Sequence, residues 1–295
     1  MEKPFICQRG VLRPVKNLSA EVARKIAAGE VIDRPNAVVR ELIDNAIDAG
    51  SYAVTVEIEG GGIDSIIVSD DGIGLSKEDL EHCAKPHATS KIIHETDLLN
   101  LSTLGFRGEA LASIAAVSRL DITSRRKEEN HAWHLHAEVS RDYQLEPAIL
   151  EKGTKVCSSG LFENFPARRL FLKRPASEGS LCRQTFIEKA LPFPEIAFRL
   201  FMDNNQKIFF PPGQSLKERF TSALSLENEI SLFSELSVKD PSARPQWSMN
   251  IVIGDTSVTR ADKKQIHVYV NNRKISEYSL IQAVEYGCEG YFPNA

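Results

Sequence analysis

Between Pro35 and Gly50 the chain offers its apolar side chains one economical arrangement. Val38, Val39, Leu42, Ile43, Ala46 and Ile47 recur at helical spacing, with a proline where a helix begins and a glycine where one is capped. The spacing predicts a helix over 35–49. Val54, Val56 and Ile58 then alternate with polar residues, Gly60-Gly61-Gly62 breaks the chain, and Ile63 to Val68 resume a β-rich run, which predicts a β-hairpin.

The rest of the chain reads as further alternation of the two element types. Helices are expected in the run AEVARKIAAGEVI that ends residues 16–32, after Ser19 as N-cap, over 76–83 behind the Ser76/Asp79 capping box, and over 109–117, 177–190, 216–225 and 279–286. Strands are expected over 120–124, 132–139, 154–158, 249–253 and 266–270, with a second hairpin of 196–202 and 207–210 turning at Asp203-Asn204-Asn205. Pro211-Pro212-Gly213 is the best boundary, giving domains 1–212 and 213–295. No repeat or low-complexity tract is present.

Composition narrows the class. The 295 residues include 36 Lys+Arg against 40 Asp+Glu, with 42% hydrophobic residues and a formal net charge of -4. That is a folded chain, neither disordered nor a membrane span, and not a globally basic nucleic-acid coat. The start at Met1-Glu2-Lys3-Pro4-Phe5 lacks a secretory signal, so a cytoplasmic address is expected. Cys7, Cys83, Cys157, Cys182 and Cys288 are scattered and read as reduced.

The chemistry concentrates on the helix over 35–49. Glu41, Asn45 and Asp48 share one face beside the apolar stripe. On an isolated helix such a face is most often solvated, but three further segments favour a site. Ser69 to Gly74 (SDDGIG) places a carboxylate at a strand end before two glycines that admit a ligand to the backbone. Pro86 to Ile92 (PHATSKI) offers Thr89, Ser90 and Lys91 in a loop. Leu104 to Leu111 (LGFRGEAL) sets Gly105, Phe106, Arg107 and Gly108 just before a helix N-terminus, a phosphate-binding arrangement. No Walker GxxxxGK[ST] occurs, which removes the P-loop alternative.

The ordered set IAAGEVIDRP, RELIDNAIDAG, DDGIG, HATSK, GFRGEALASI, Gly153-Thr154 and PARRLFL resembles the ATPase region of the MutL mismatch repair family, within the GHKL ATPase superfamily. The match is dense over about 15–175 and thinner through VNNRKI at Val270 to Ile275. It implies a two-layer α/β (α+β) sandwich with a mixed, mainly antiparallel sheet, plus a partial second α+β domain. It also implies ATP and magnesium as ligands. Glu41 matches the general base, Asn45 the magnesium ligand, and Asp70 the carboxylate that accepts from the adenine amino group, a contact guanine cannot make. Thr154 would support that base-side network and Gly74 would line the adenine pocket. Thr89, Ser90, Lys91, Gly105, Phe106, Arg107 and Gly108 fall in the lid over the phosphates.

As function, the resemblance implies slow ATP hydrolysis driving dimerisation and a conformational switch. Its partners would be a second copy of the chain, a MutS-type mismatch recognition protein, DNA and a strand-nicking nuclease, with no membrane. The rivals are a catalytically idle DNA-binding clamp and another GHKL ATPase such as a histidine kinase; no helical His box precedes the ATP-site residues.

The chain departs from the family at several points. Asp71 stands where the family usually has Asn, so it either raises a carboxylate pKa nearby or faces solvent. Pro86 replaces a commonly basic residue, and Glu163-Asn164-Phe165 replaces Tyr-Asn-Thr. The family's His-Pro-Ala-Lys motif, whose lysine reaches the γ-phosphate, and its C-terminal dimerisation region lie outside these 295 residues, so a fragment of a longer protein is expected. His131, His134 and His136 (HAWHLH) read as exposed strand histidines rather than zinc ligands. The basic groups Arg125-Arg126-Lys127, Arg168/Arg169/Lys173/Arg174 and Lys263-Lys264 are either solvated faces or sequence-blind phosphate contacts.

Overall fold

The computed structural model describes residues 20–85, 88, 103–105, 108–137, 143–244, 246–258 and 265–291. Helix α1 (Ala20–Val31) leads into α2 (Pro35–Asp48), where proline occupies the first turn and the amide of Gly50, at φ 68°, bonds the Ile47 carbonyl at 2.9 Å. Pro35, Ala37, Val38, Val39, Leu42, Ile43 and Ala46 are buried, the stripe the spacing predicts, with Ile47 half-buried at its edge.

Strand β1 (Ala53–Glu59) turns through a 3-10 turn at Gly60–Gly62 into β2 (Ser65–Asp70), and the two pair antiparallel with Val56 opposite Val68. Next come α3 (Lys77–Cys83), α4 (Ala110–Val117), β3 (Arg119–Arg125), β4 (Ala132–Ala137), β5 (Gln144–Ala148) and β6 (Gly153–Ser159). The short α5 (Pro166–Arg169), α6 (Pro175–Ala190) and the hairpin of β7 (Ala197–Met202) and β8 (Asn205–Phe210) follow. The strands form an eight-stranded sheet in the order β5-β4-β3-β6-β2-β1-β7-β8. Every pairing in it is antiparallel except β1 with β7, so the sheet is mixed and mainly antiparallel.

Strand alternation divides the sheet. Val54, Val56, Ile58, Ile66, Val68, Leu120, Ile122, Phe198 and Leu200 are buried on the face that α2, α4 and α6 cover. The ring of Phe186 from α6 meets Phe198 edge-on at 6.0 Å and stacks on Phe210 at 6.2 Å. On the other face His136 Nδ1 lies 2.7 Å from Asp121 Oδ1 and His134 Nδ1 2.9 Å from Thr123 Oγ1. These two histidines are therefore half-buried and partnered, not the freely exposed pair expected from sequence. Among the described residues no His/Cys/Asp/Glu group is arranged to hold a metal ion. No helix among them is long and apolar enough to cross a membrane.

Past Pro211-Pro212-Gly213 lie α7 (Leu216–Ala223), capped by the Ser215/Glu218 box, the hairpin β9 (Phe233–Asp240) and β10 (Trp247–Gly254), the small hairpin β11 (Val268–Val270) and β12 (Arg273–Ile275), and α8 (Tyr278–Gly287). Arg219 of α7 is fully buried. Its Nη1 donates to the carbonyls of Ala190 and Phe193 at 2.7 and 2.9 Å, and its Nη2 to those of Pro194, Ile196 and Pro211 at 3.1, 2.8 and 3.2 Å. Burial lowers its pKa to about 10, yet it stays charged at neutral pH because every carbonyl dipole points at it.

Candidate active site

Helix α2 packs over β1, β2 and β6, near the middle of the sheet. Glu41, Asn45 and Asp48 are half-buried along it, so its polar face borders a protein surface rather than open solvent. Glu41 Oε1 accepts from Arg40 Nε at 3.1 Å. Asp44 lies on the buried side, where Lys189 Nζ of α6 meets its Oδ2 at 2.6 Å. Burial raises the Asp44 pKa against the opposing pull of Lys189, and the charges of Glu41 and Asp48 raise it further.

Asp70 closes β2 directly opposite Thr154 of β6. Its Oδ1 accepts the Gly72 amide at 2.8 Å. Burial is the main reason its pKa is raised to about 6, with the Asp71 charge adding to it and the amides of Gly72 and Thr154 opposing. Thr154 Oγ1 sits 2.9 Å from Ser124 Oγ, which in turn accepts the Leu75 amide at 2.8 Å. Ser124 is fully buried and ties β3 to the DDGIG loop; nothing in its sequence context singles it out. The loop is also held to the end of α2, since the Ile73 amide donates to the Ala49 carbonyl at 3.0 Å. Two of its residues must be glycine. A Cβ on Gly72 would stand 2.7 Å from the Ala49 oxygen, and one on Gly74, at φ 71°, 2.2 Å from the Arg125 oxygen.

Of the two sequence expectations for Asp71, the raised neighbouring carboxylate is met at Asp70, while Asp71 itself stays partly exposed. Its Oδ1 accepts the amides of Tyr52 and Ala53 at 2.8 and 2.9 Å, and Lys152 Nζ approaches its Oδ2 at 3.2 Å. Burial pushes its pKa up, but these amides and the lysine outweigh it and hold the group below its ordinary value. Asp71 thus initiates β1 while its charge raises the pKa of Asp70.

Asp48 takes a part the sequence did not disclose. Its Oδ1 and Oδ2 accept the amides of Leu104 and Gly105 at 2.8 and 2.9 Å, fixing that loop to the polar face of α2. Gly108, at φ 61°, then leads into α4, whose N-terminus has no side-chain cap and no acidic residue in its first turn. Thr89, Ser90, Lys91, Phe106, Arg107 and Pro86 lie outside the described residues, as do Lys263 and Lys264. In the basic segment after β6, Arg168 Nη1 donates to the Gly29 carbonyl at 2.5 Å and Arg169 Nη1 lies 4.0 Å from Glu163. Arg168 is therefore engaged within the chain, while Arg169 stays exposed.

Comparison with known proteins agrees with this geometry. Residues 33–158 match the family described as histidine kinase-, DNA gyrase B-, and HSP90-like ATPase. The DNA mismatch repair protein MutL of Treponema pallidum is 43% identical over 295 residues, spanning 96% of this chain and 47% of that protein. MutL of Heliobacterium modesticaldum is 38% identical over 279 residues, spanning 95% of this chain and 42% of that protein. The chain thus spans about half the length of these curated relatives. Among solved structures, the Aquifex aeolicus MutL ATPase domain complexed with ADP superposes with a TM-score of 0.64 at 26% identity, covering 87% of this chain and 88% of that one. The N-terminal domain of a DNA repair protein superposes with a TM-score of 0.73 at 26% identity, covering 89% and 81%. With the mixed sheet, the overlying α2 and the Asp70 loop in place, the chain belongs to the MutL family of GHKL-type ATPases and carries that family's ATPase domain.

Proposed function

We propose that the chain binds ATP between α2 and the β2–β6 strand ends and hydrolyses it slowly, as the ATPase of a mismatch repair protein. The carrying observation is Asp70. It is a desolvated carboxylate held by the Gly72 amide and paired in register with Thr154, at a loop tied to α2. A buried acceptor in that position selects the exocyclic amine of adenine over the carbonyl of guanine.

The polar face of α2 supports the phosphate-side roles. Glu41 polarises the attacking water, with the Arg40 guanidinium 3.1 Å from its Oε1. Asn45, between Glu41 and Asp48, presents a hard amide oxygen of the kind that fits magnesium, which would neutralise charge on the bridged phosphates. Gly105, Gly108 and the α4 N-terminus line the phosphate side, for which the family resemblance also nominates Thr89, Ser90, Lys91, Phe106 and Arg107, while Gly74 and Thr154 flank the base. Residues 1–212 form the ATPase domain and 213–295 part of a second α+β domain.

In the repair process, ATP binding drives pairing with a second copy of the chain. The paired state meets DNA and couples a MutS-type mismatch recognition protein to a strand-nicking nuclease. Titration with ATP and GTP tests the site. ATP should bind at least about tenfold more tightly, and Asp70→Ala should remove the difference. Equal affinities in the unaltered chain would overturn the adenine assignment.

A further inference from the structure

We infer that Arg273 is a positioning residue that couples the β11–β12 hairpin to the nucleotide site through the Leu104 peptide and Asp48. Its Nη2 donates to the carbonyls of Thr103 and Leu104 at 2.7 and 3.1 Å. From the opposite side Asp48 accepts the amides of Leu104 and Gly105. One short segment, some 170 residues away in sequence from Arg273, is therefore gripped at its carbonyls by a guanidinium and at its amides by a carboxylate. Charged hydrogen bonds of this kind are stronger than neutral ones, and a planar guanidinium can serve two carbonyls without rearrangement.

The hairpin is stiff enough to transmit displacement. Asn271 and Asn272 form its turn with φ of 49° and 62°, the left-handed pair that a two-residue hairpin requires. Val268 pairs with Ile275 and Val270 with Arg273. A second tie joins it to α6, since Tyr269 Oη donates to the Glu188 carbonyl at 2.9 Å and Lys274 Nζ to Glu188 Oε1 at 2.5 Å. The next residue of α6, Lys189, holds Asp44 of α2. The hairpin thus reaches α2 by two routes that end at Asp44 and Asp48, either side of Asn45.

The inference rests on the ATP-site reading above, because only then does the Leu104–Gly105 segment border the phosphates. A mere staple would add stability alone. A coupling element must also respond to nucleotide, since linkage makes the effect reciprocal: if Arg273 improves ATP binding, ATP must reinforce the hairpin.

The test is amide hydrogen exchange and ATP titration on the whole chain, with Arg273→Ala and Arg273→Lys as variants. Without nucleotide, Arg273→Ala should speed exchange of the Leu104 and Gly105 amides about tenfold or more and lower ATP affinity by about tenfold, with Arg273→Lys recovering part of both. In the unaltered chain, ATP should slow exchange across 268–275. Unchanged exchange at Leu104 and Gly105 in Arg273→Ala, or a hairpin indifferent to bound ATP, would overturn the coupling. Should Arg273→Ala fail to fold, the response of 268–275 to ATP in the unaltered chain decides. Failure of the unaltered chain to bind ATP would instead sink the site reading, leaving the nucleotide-free comparison to judge the mechanical link.

Discussion

Asp70 and Thr154 face each other across the β2–β6 pair, so the carboxylate at the candidate base site is anchored by the sheet register rather than by a flexible loop. The register fixes more than position. It brings Thr154 within 2.9 Å of Ser124, which secures the loop after Asp70, and it leaves the Asp70 carboxyl desolvated enough for its pKa to rise to about 6.

That raised value predicts a trade between stability and binding. Because the folded chain holds the Asp70 proton more tightly than the unfolded one, the group favours folding at low pH and loses that contribution as pH rises through about 6. Asp70→Asn should therefore raise the melting temperature of the nucleotide-free chain at pH 7–8, by roughly 1–3 kcal/mol of stability, with the gap closing towards pH 4. The same change should greatly weaken ATP binding. A melt lowered at pH 8 and unchanged at pH 4 would contradict the desolvation argument.

In the unaltered chain, ATP affinity should fall as pH drops below about 6, where Asp70 takes up its proton and loses strength as an acceptor. GTP binding, which gains nothing from that acceptor, should show no such fall. Parallel pH titrations with the two nucleotides check this.

Glu41 and Asn45 should separate chemistry from binding. Glu41→Ala removes the proposed base, so ATP should bind near normally while phosphate release slows on the order of a hundredfold. Asn45→Ala removes the proposed magnesium ligand, so magnesium-dependent ATP binding itself should weaken. Equal loss of binding in both would show that Glu41 has been given the wrong role.

Asp48→Ala should leave the Leu104 and Gly105 amides without their shared acceptor, lowering stability by about 1–3 kcal/mol in urea unfolding. Asp48→Asn, which retains one acceptor oxygen, should fall between. An Asp48→Ala chain as stable as the original would mean that water replaces the carboxylate without loss.

Arg219→Met should be far more damaging, about 3–5 kcal/mol, because five backbone carbonyls lose their donor inside the protein. Arg219→Lys should rescue little, since three ammonium hydrogens cannot reproduce the planar fork. Denaturant midpoints for the two variants decide the matter.

Elements whose pattern is local were legible from the residues alone. The α2 stripe, the β1–β2 and β7–β8 hairpins and the Ser76 cap follow from spacing within a few residues, and all are present. So does the convergence of Glu41, Asn45 and Asp48, which helical geometry dictates once the helix exists. Strand β9 escaped notice because Leu236 and Val238 stand alone among polar residues, and β5 because Pro147 interrupts a short polar run at the sheet edge.

Which distant groups share a bond is settled only when the chain folds. His134 and His136 look open until Asp121 arrives from β3, and Arg219 looks like a surface helix residue until five carbonyls from the end of α6, the 193–196 segment and Pro211 after β8 surround it. Asp48 reads as one more acid on a solvated face; only the folded chain brings Leu104 and Gly105 to it, and Arg273 to them. The physical reason is that propensity and periodicity act over a turn or a strand. The pairing of one polar group with another depends on chain closure over tens to hundreds of residues, paid for by burial of the whole core and encoded in no single segment.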